Sequence, residues 1–224
     1  MTKFLKNEMK KASETIRKKI KENKKLPAHI IMNDSAGKSH KVDKKYYAGL
    51  FEARNIFILK HGREPNYVTL NNTANNPLVI DYQNNKYNCC PTSLSMASQM
   101  LYTYVSEQKC AKILKTNTNG TDPSNLMNNA PKLGFKVTPI SRNKSSVNKS
   151  LNNVCPVIAH IQTKSANCLN YINDYGHYIL IYDLTKNGYY KVADPTKGLK
   201  VCKPHSIDNA TNGRDIKYYS VSFI

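Results

Sequence analysis

The sequence predicts an α+β fold in which a helix carrying a cysteine packs on an antiparallel sheet, preceded by a small, mainly helical repeat module. Three observations lead there. After Cys90, the apolar residues Leu94, Ala97, Met100 and Leu101 fall on one helical face. Two runs of strong β propensity, from Gly176 to Asp183 and from Tyr189 to Pro195, are joined by the tight-turn sequence Lys186-Asn187-Gly188. The stretch from Glu14 to Asn33 runs parallel to that from Glu52 to Asn71, a repeat with a period of thirty-eight residues.

Each copy of the repeat reads as a helix, then a polar turn (Asn23-Lys24-Lys25, His61-Gly62-Arg63), then a proline (Pro27, Pro65) and a short apolar extended piece. Proline stands where the helix has already ended, because it has no N–H to donate and clashes with the preceding turn. Neither copy can bury its apolar stripe alone, so the two are expected to pack together, or against the next domain, as one module over residues 1–72, with copies at about 1–34 and 39–72. The small polar residues at 73–77 read as a linker, which leaves 78–224 for a second domain.

In that second domain, helices are expected near Glu107 to Lys115, Asp122 to Lys132 and Ser146 to Asn153, besides the one after Cys90. Strands are expected near Lys136 to Ile140, Pro156 to Gln162, His177 to Asp183, Tyr189 to Asp194, Leu199 to Cys202 and Lys217 to Phe223.

The chain has 224 residues, enough for one ordinary domain and a small accessory unit, and a formal net charge of +19. That charge draws a protein toward polyanions without choosing among nucleic acid, anionic lipid and an acidic wall polymer. The excess is dense through Lys25, where a solvated helix face and a binding role stand as equal explanations. No run of eighteen apolar residues and no apolar signal-peptide core is visible, so the expectation is synthesis in the cytoplasm with neither membrane span nor cleaved export signal.

The six cysteines match neither a zinc pattern nor a small disulfide scaffold. Cys110, Cys155, Cys168 and Cys202 read as reduced, mostly buried thiols. Cys89 differs, because a thiol at a helix start meets exposed N–H groups and the positive end of the helix dipole, which favour the thiolate. His177 opens one predicted strand and Asp194 closes the next, so a hairpin brings a candidate base beside a candidate orienting acid. His160, in the apolar run from Pro156 to Ile161, is the rival base and reads as a strand residue lining the cleft.

Gln83, six residues before Cys89, resembles the glutamine that papain-like cysteine peptidases place at that offset, and the likeness implies that its amide donates to an oxyanion. Cys89-Cys90-Pro91-Thr92-Ser93 is similar to the Cys-Gly-Pro-Thr-Ser opening of the bacteriocin-processing, double-glycine-peptidase-like family, with Cys90 at the glycine position. Glu52-Ala53-Arg54, Phe57-Ile58, Gly62-Arg63 and Pro65-Asn66-Tyr67-Val68-Thr69 resemble the pseudomurein-binding repeat found in surface proteins and lysins of methanogenic archaea. The first copy keeps the helix, Leu26-Pro27 and the apolar tail, with His29 in the place of Tyr67.

Together these features resemble the pseudomurein endoisopeptidases, lysins of methanogen viruses and prophages. That resemblance implies a papain-like domain with catalytic Cys89, His177 and Asp194, oxyanion donor Gln83, and wall contacts from Arg63, Pro65, Asn66 and Tyr67. It further implies cleavage of an alanine–lysine ε-isopeptide bond in the pseudomurein cross-bridge, a reduced thiol, and possible dependence on a divalent cation such as calcium. No liganding cluster is visible for such a metal. The partner it implies is the acidic pseudomurein wall, reached during or after host lysis, rather than nucleic acid or a membrane. Rival readings are another double-glycine peptidase or peptidoglycan hydrolase, a transglutaminase-type acyltransferase, and a non-enzymatic protein that binds wall or nucleic acid.

Overall fold

A computed structural model describes residues 2–224. The chain forms two compact units, one comprising Met1–Val79 with Gln99–Tyr104 and the other Ile80–Ser98 with Val105–Ile224. The first unit is built from β1 (Lys3–Leu5), α1 (Lys6–Asn23), β2 (His29–Asn33), β3 (Ser39–Asp43), α2 (Lys44–His61) and β4 (Tyr67–Thr69). Helix α1 buries Met9, Ala12, Ile16 and Ile20, the three- and four-residue spacing of one face, and leaves its lysines in solvent. Both helices have 18 residues, and each ends on a left-handed residue, Lys24 or Gly62, whose N–H returns to Ile20 O or Ile58 O.

The unit is thus two β–α–β halves that share their strands. β1 pairs antiparallel with β4, and β2 with β3, so one strand pair joins the outer ends of the halves and the other the inner ends. The expected linker is not a free tether. Ala74 N–H donates to Lys45 O, and the buried Asn55 donates its amide to Pro77 O. Gly49 permits this approach, since a Cβ there would stand 2.1 Å from Asn72 O. The segment Gln99–Tyr104 also belongs to this unit: Tyr102 packs edge-on against Tyr47 and Phe51, and Ser13 Oγ donates to its carbonyl.

The second unit contains, in chain order, α3 (Cys89–Met100, whose last two residues count with the first unit), α4 (Glu107–Ile113), α5 (Pro123–Asn129), β5 (Phe135–Ile140), α6 (Lys144–Asn152) and β6 (Val157–Gln162). β7 (Gly176–Leu184), β8 (Tyr190–Asp194), β9 (Gly198–Cys202), α7 (Pro204–Asp208) and β10 (Tyr218–Phe223) follow. The strands form one antiparallel sheet in the order β5-β10-β6-β7-β8-β9. One face carries the apolar core of Val157, Ala159, Ile161, Ile179, Ile181 and Val192, against which Val147 of α6 packs. The alternate residues Ile158, Tyr178, Leu180, Ala193 and Tyr219 are buried on the other face. Cys90, the second residue of α3, is fully buried.

The expected strands and helices fall within a few residues of the observed ones, with one division. The helix expected to reach Lys132 stops at Asn129 and tightens into a 3-10 turn, Ala130–Leu133, because Pro131 cannot continue the α-helical ladder. The cysteine reading needs correction. Cys168 and Cys202 form a disulfide, bridging the short 3-10 turn Asn167–Leu169 to the end of β9. Cys155 is half-buried rather than buried. Spacing could not reveal the bridge, since it joins residues that only the fold brings together.

Candidate active site

Local structure places each member of the candidate site. Cys89 is the first residue of α3, His177 the second residue of β7 and Asp194 the last of β8. Ile181 pairs with Val192 across β7 and β8, and side chains alternate along a strand, so His177 and Asp194 share the face of that pair. His177 Nε2–H donates to Asp194 Oδ1 at 3.0 Å, and both side chains are buried. The remaining ring nitrogen, Nδ1, is therefore the one available for the hydrogen bond between the imidazole and Cys89.

Burial alone pulls His177 down, but its hydrogen bond to Asp194 and its interaction with Cys89, with the charge of the Asp194 carboxylate, reverse this and raise it to about 9. Burial likewise pushes Asp194 up, yet donors from His177, Thr196 N–H and Tyr171 outweigh it and hold the carboxyl below its ordinary range. The arrangement stabilises an imidazolium and a carboxylate beside a cysteine, the charge pattern of nucleophilic thiol chemistry.

Gln83 is brought to the same corner. Its backbone N–H donates to Pro195 O at 3.0 Å, its Oε1 accepts from Thr196 Oγ1 at 3.3 Å, and its Nε2 donates to Asn85 O at 2.8 Å. Cys90 is fully buried, and desolvation, its largest influence, pushes the thiol well up. His160 stacks on Tyr178 with centroids 4.3 Å apart, and burial together with the positive charge of Arg142 lowers it to about 4. It stands on the sheet face opposite His177, as adjacent partners in the β6–β7 register require, and remains a neutral strand residue.

Two residues of this corner carry no sequence signal. Tyr171 donates its hydroxyl to both oxygens of Asp194 at 2.9 Å and lies 3.2 Å from His177 Nε2. Glu107, buried in the first turn of α4, accepts from Asn84 N–H, Asn88 Nδ2 and Thr92 Oγ1, fastening the segment before Cys89 to the helix that Cys89 opens. Burial and the charge of Glu107 raise nearby Asp81 to about 6.

In the first unit, Arg63, Asn66 and Tyr67 are exposed, and Lys3 Nζ stands 4.7 Å over the Tyr67 ring. Pro65 is buried. Among the described residues, no three His, Cys, Asp or Glu side chains converge as a metal-ion cluster, and no helix is long and apolar enough to cross a membrane.

Residues 77–209 match the Peptidase C39 family. No curated protein matches the chain. Among solved structures, the peptidase domain of Streptococcus ComA, a bi-functional ABC transporter involved in a quorum sensing pathway, is 18% identical with a TM-score of 0.49, covering 65% of this chain and 98% of that one. A double glycine motif protease from an AMS/PCAT transporter, solved with its leader peptide, is 16% identical with a TM-score of 0.48, covering 64% and 91%. The peptidase domain of Streptococcus mutans ComA is 15% identical with a TM-score of 0.42, covering 65% and 98%. With the family match spanning more than half of its residues, the chain belongs to the Peptidase C39 family of cysteine peptidases.

Proposed function

We propose that this cysteine peptidase lyses the wall of methanogenic archaea by hydrolysing the alanine–lysine ε-isopeptide bond of pseudomurein cross-bridges, with Cys89, His177 and Asp194 as its triad. The observation that carries the catalytic half is the buried His177–Asp194 pair, with a hydrogen bond from the imidazole to Cys89 at the start of α3. The substrate half rests on the resemblance of residues 52–69 to the pseudomurein-binding repeat and on the net charge of +19, which suits an acidic glycan.

In this mechanism the Cys89 thiolate attacks the alanyl carbonyl carbon while His177 holds the proton on Nδ1. The oxyanion accepts from the Cys89 backbone N–H and from Gln83 Nε2, which must leave Asn85 O to reach it. His177 Nδ1–H then protonates the departing lysine amine, the carbon–nitrogen bond breaks, and a thioester to Cys89 remains. Water, deprotonated by His177, attacks the thioester and restores the thiolate with imidazolium. Asp194 keeps the Nε2–H tautomer throughout. The chemistry requires Cys89 to stay reduced, since an oxidised sulfur is no nucleophile.

The test is the turbidity of pseudomurein-walled cells under reducing, anaerobic conditions with wild type, Cys89→Ala and Cys90→Ala. Clearing by wild type and Cys90→Ala alone supports the nucleophile and the substrate together. A suspension left cloudy by wild type rejects the wall substrate, and clearing by Cys89→Ala rejects the nucleophile. Incorporation of an added amine in place of water would instead indicate an acyltransferase.

A further inference from the structure

We infer that Tyr171 is a positioning residue, whose hydroxyl fixes the Asp194 carboxylate and, through it, the orientation of the His177 imidazole. The inference deepens the triad reading above and rests on it. Asp194 Oδ1 receives His177 Nε2–H at 3.0 Å, Thr196 N–H at 2.8 Å, Lys197 N–H at 3.2 Å and the Tyr171 hydroxyl at 2.9 Å. Oδ2 receives only the Tyr171 hydroxyl among the described hydrogen bonds, also at 2.9 Å. The backbone donors lie on one side of the carboxylate, so Tyr171 alone spans both oxygens and opposes rotation of the group about its own axis. A rotation would carry Oδ1 away from Nε2–H and free the imidazole to turn from Cys89.

The tyrosine is itself held from three directions. Its ring lies under Lys197 Nζ at 5.0 Å and meets Tyr175 edge-on at 5.7 Å. The backbone three residues earlier is covalently tied by Cys168–Cys202 to β9, whose Gly198 pairs with Asp194. The loop that carries the hydroxyl and the strand that carries the carboxylate are therefore stapled together a few residues from their hydrogen bond. Burial, followed by the charge of Asp194, pushes the phenol far above its ordinary range, which suits a group that donates to a carboxylate.

The experiment follows the downfield proton resonance of His177 Nε2–H against pH, in the full chain, for wild type, Tyr171→Phe and the double variant Cys168→Ser/Cys202→Ser. Assignment is made by its loss in Asp194→Ala. Removing a donor from a buried carboxylate raises its pKa, so Asp194 takes its proton earlier as pH falls and the hydrogen-bonded resonance disappears earlier. Tyr171→Phe is expected to move the acid midpoint of that loss upward by about one pH unit, tenfold in proton concentration. The double variant, which loosens the loop without touching the hydroxyl, is expected to move it in the same direction by less. Acid midpoints that coincide with wild type in both variants overturn the inference, because a side chain that only packs would lower the melting temperature and leave the titration in place. The readout needs no substrate. A failure to clear wall suspensions therefore counts against the proposed substrate and leaves the Tyr171 result standing.

Discussion

Gln83 and Thr196 are 113 residues apart in sequence, yet Thr196 Oγ1 donates to Gln83 Oε1 at 3.3 Å while the Gln83 N–H donates to Pro195 O at 3.0 Å. The candidate oxyanion donor and the turn after the candidate acid are thus one hydrogen-bonded corner. Anchoring the amide oxygen turns Nε2 outward as a donor, held by Asn85 O at 2.8 Å until a developing negative charge takes its place. Gln83→Ala should lower kcat about 10²- to 10³-fold with little change in KM, as loss of one oxyanion donor does. Steady-state kinetics on a released cross-bridge peptide checks the split. A raised KM with kcat unchanged would mean that Gln83 binds the ground state as strongly as the transition state.

His177 and Asp194 make opposite predictions for pH. His177 is raised to about 9 in the folded protein, so the stability it contributes is complete below its unfolded value of about 6.5 and fades as pH rises through about 9. Asp194 is lowered, so its contribution is complete above the ordinary carboxylate range and is lost as pH falls through the folded value. Wild type should therefore melt highest between the two limbs. Asp194→Asn removes the carboxylate charge that holds the proton on His177, so both limbs should flatten and the alkaline activity limb should move below about 9. Melting temperature and kcat/KM across the pH range test this directly.

The two adjacent thiols should separate cleanly. Cys90 is fully buried and desolvation holds it as the thiol, whereas Cys89 opens α3 and is hydrogen-bonded to His177. Iodoacetamide on the folded protein, followed by peptide mass spectrometry, should modify Cys89 and spare Cys90. Cys90→Ala should retain activity within about twofold and lose about 1–2 kcal/mol of stability from the small cavity it leaves. Rapid alkylation of Cys90 in the folded state would contradict the assignment.

What could be read from the sequence was what local rules determine. The helix after Cys89 is legible in the spacing of Leu94, Ala97, Met100 and Leu101, and the His177–Asp194 hairpin in the β propensity around Asn187-Gly188, which brings the side chains at the strand ends together. Tyr171 lies in an irregular loop with no periodicity, and only the fold brings it to Asp194. Glu107 looks like an ordinary acid in the first turn of a helix capped by Ser106; its burial comes from Asn84 and Asn88, some twenty residues away. Cys168 and Cys202 read as two more apolar thiols because their separation of 34 residues fits no spacing signature.

That disulfide gives reductant two opposed effects on the same protein. A mild reductant keeps Cys89 as the thiol, while a strong one also opens Cys168–Cys202 and releases the Tyr171 loop from β9. Freeing a loop of this length in the unfolded chain should cost about 2–4 kcal/mol of stability. Urea unfolding of wild type should therefore shift to lower midpoint as the reductant is strengthened, and Cys168→Ser/Cys202→Ser should show the lower midpoint at every reductant level. Activity of wild type should rise and then fall across the same series, since recovery of Cys89 precedes loss of the bridge. A monotonic rise to a plateau, with an unmoved urea midpoint, would show that the bridge contributes nothing to either stability or the site.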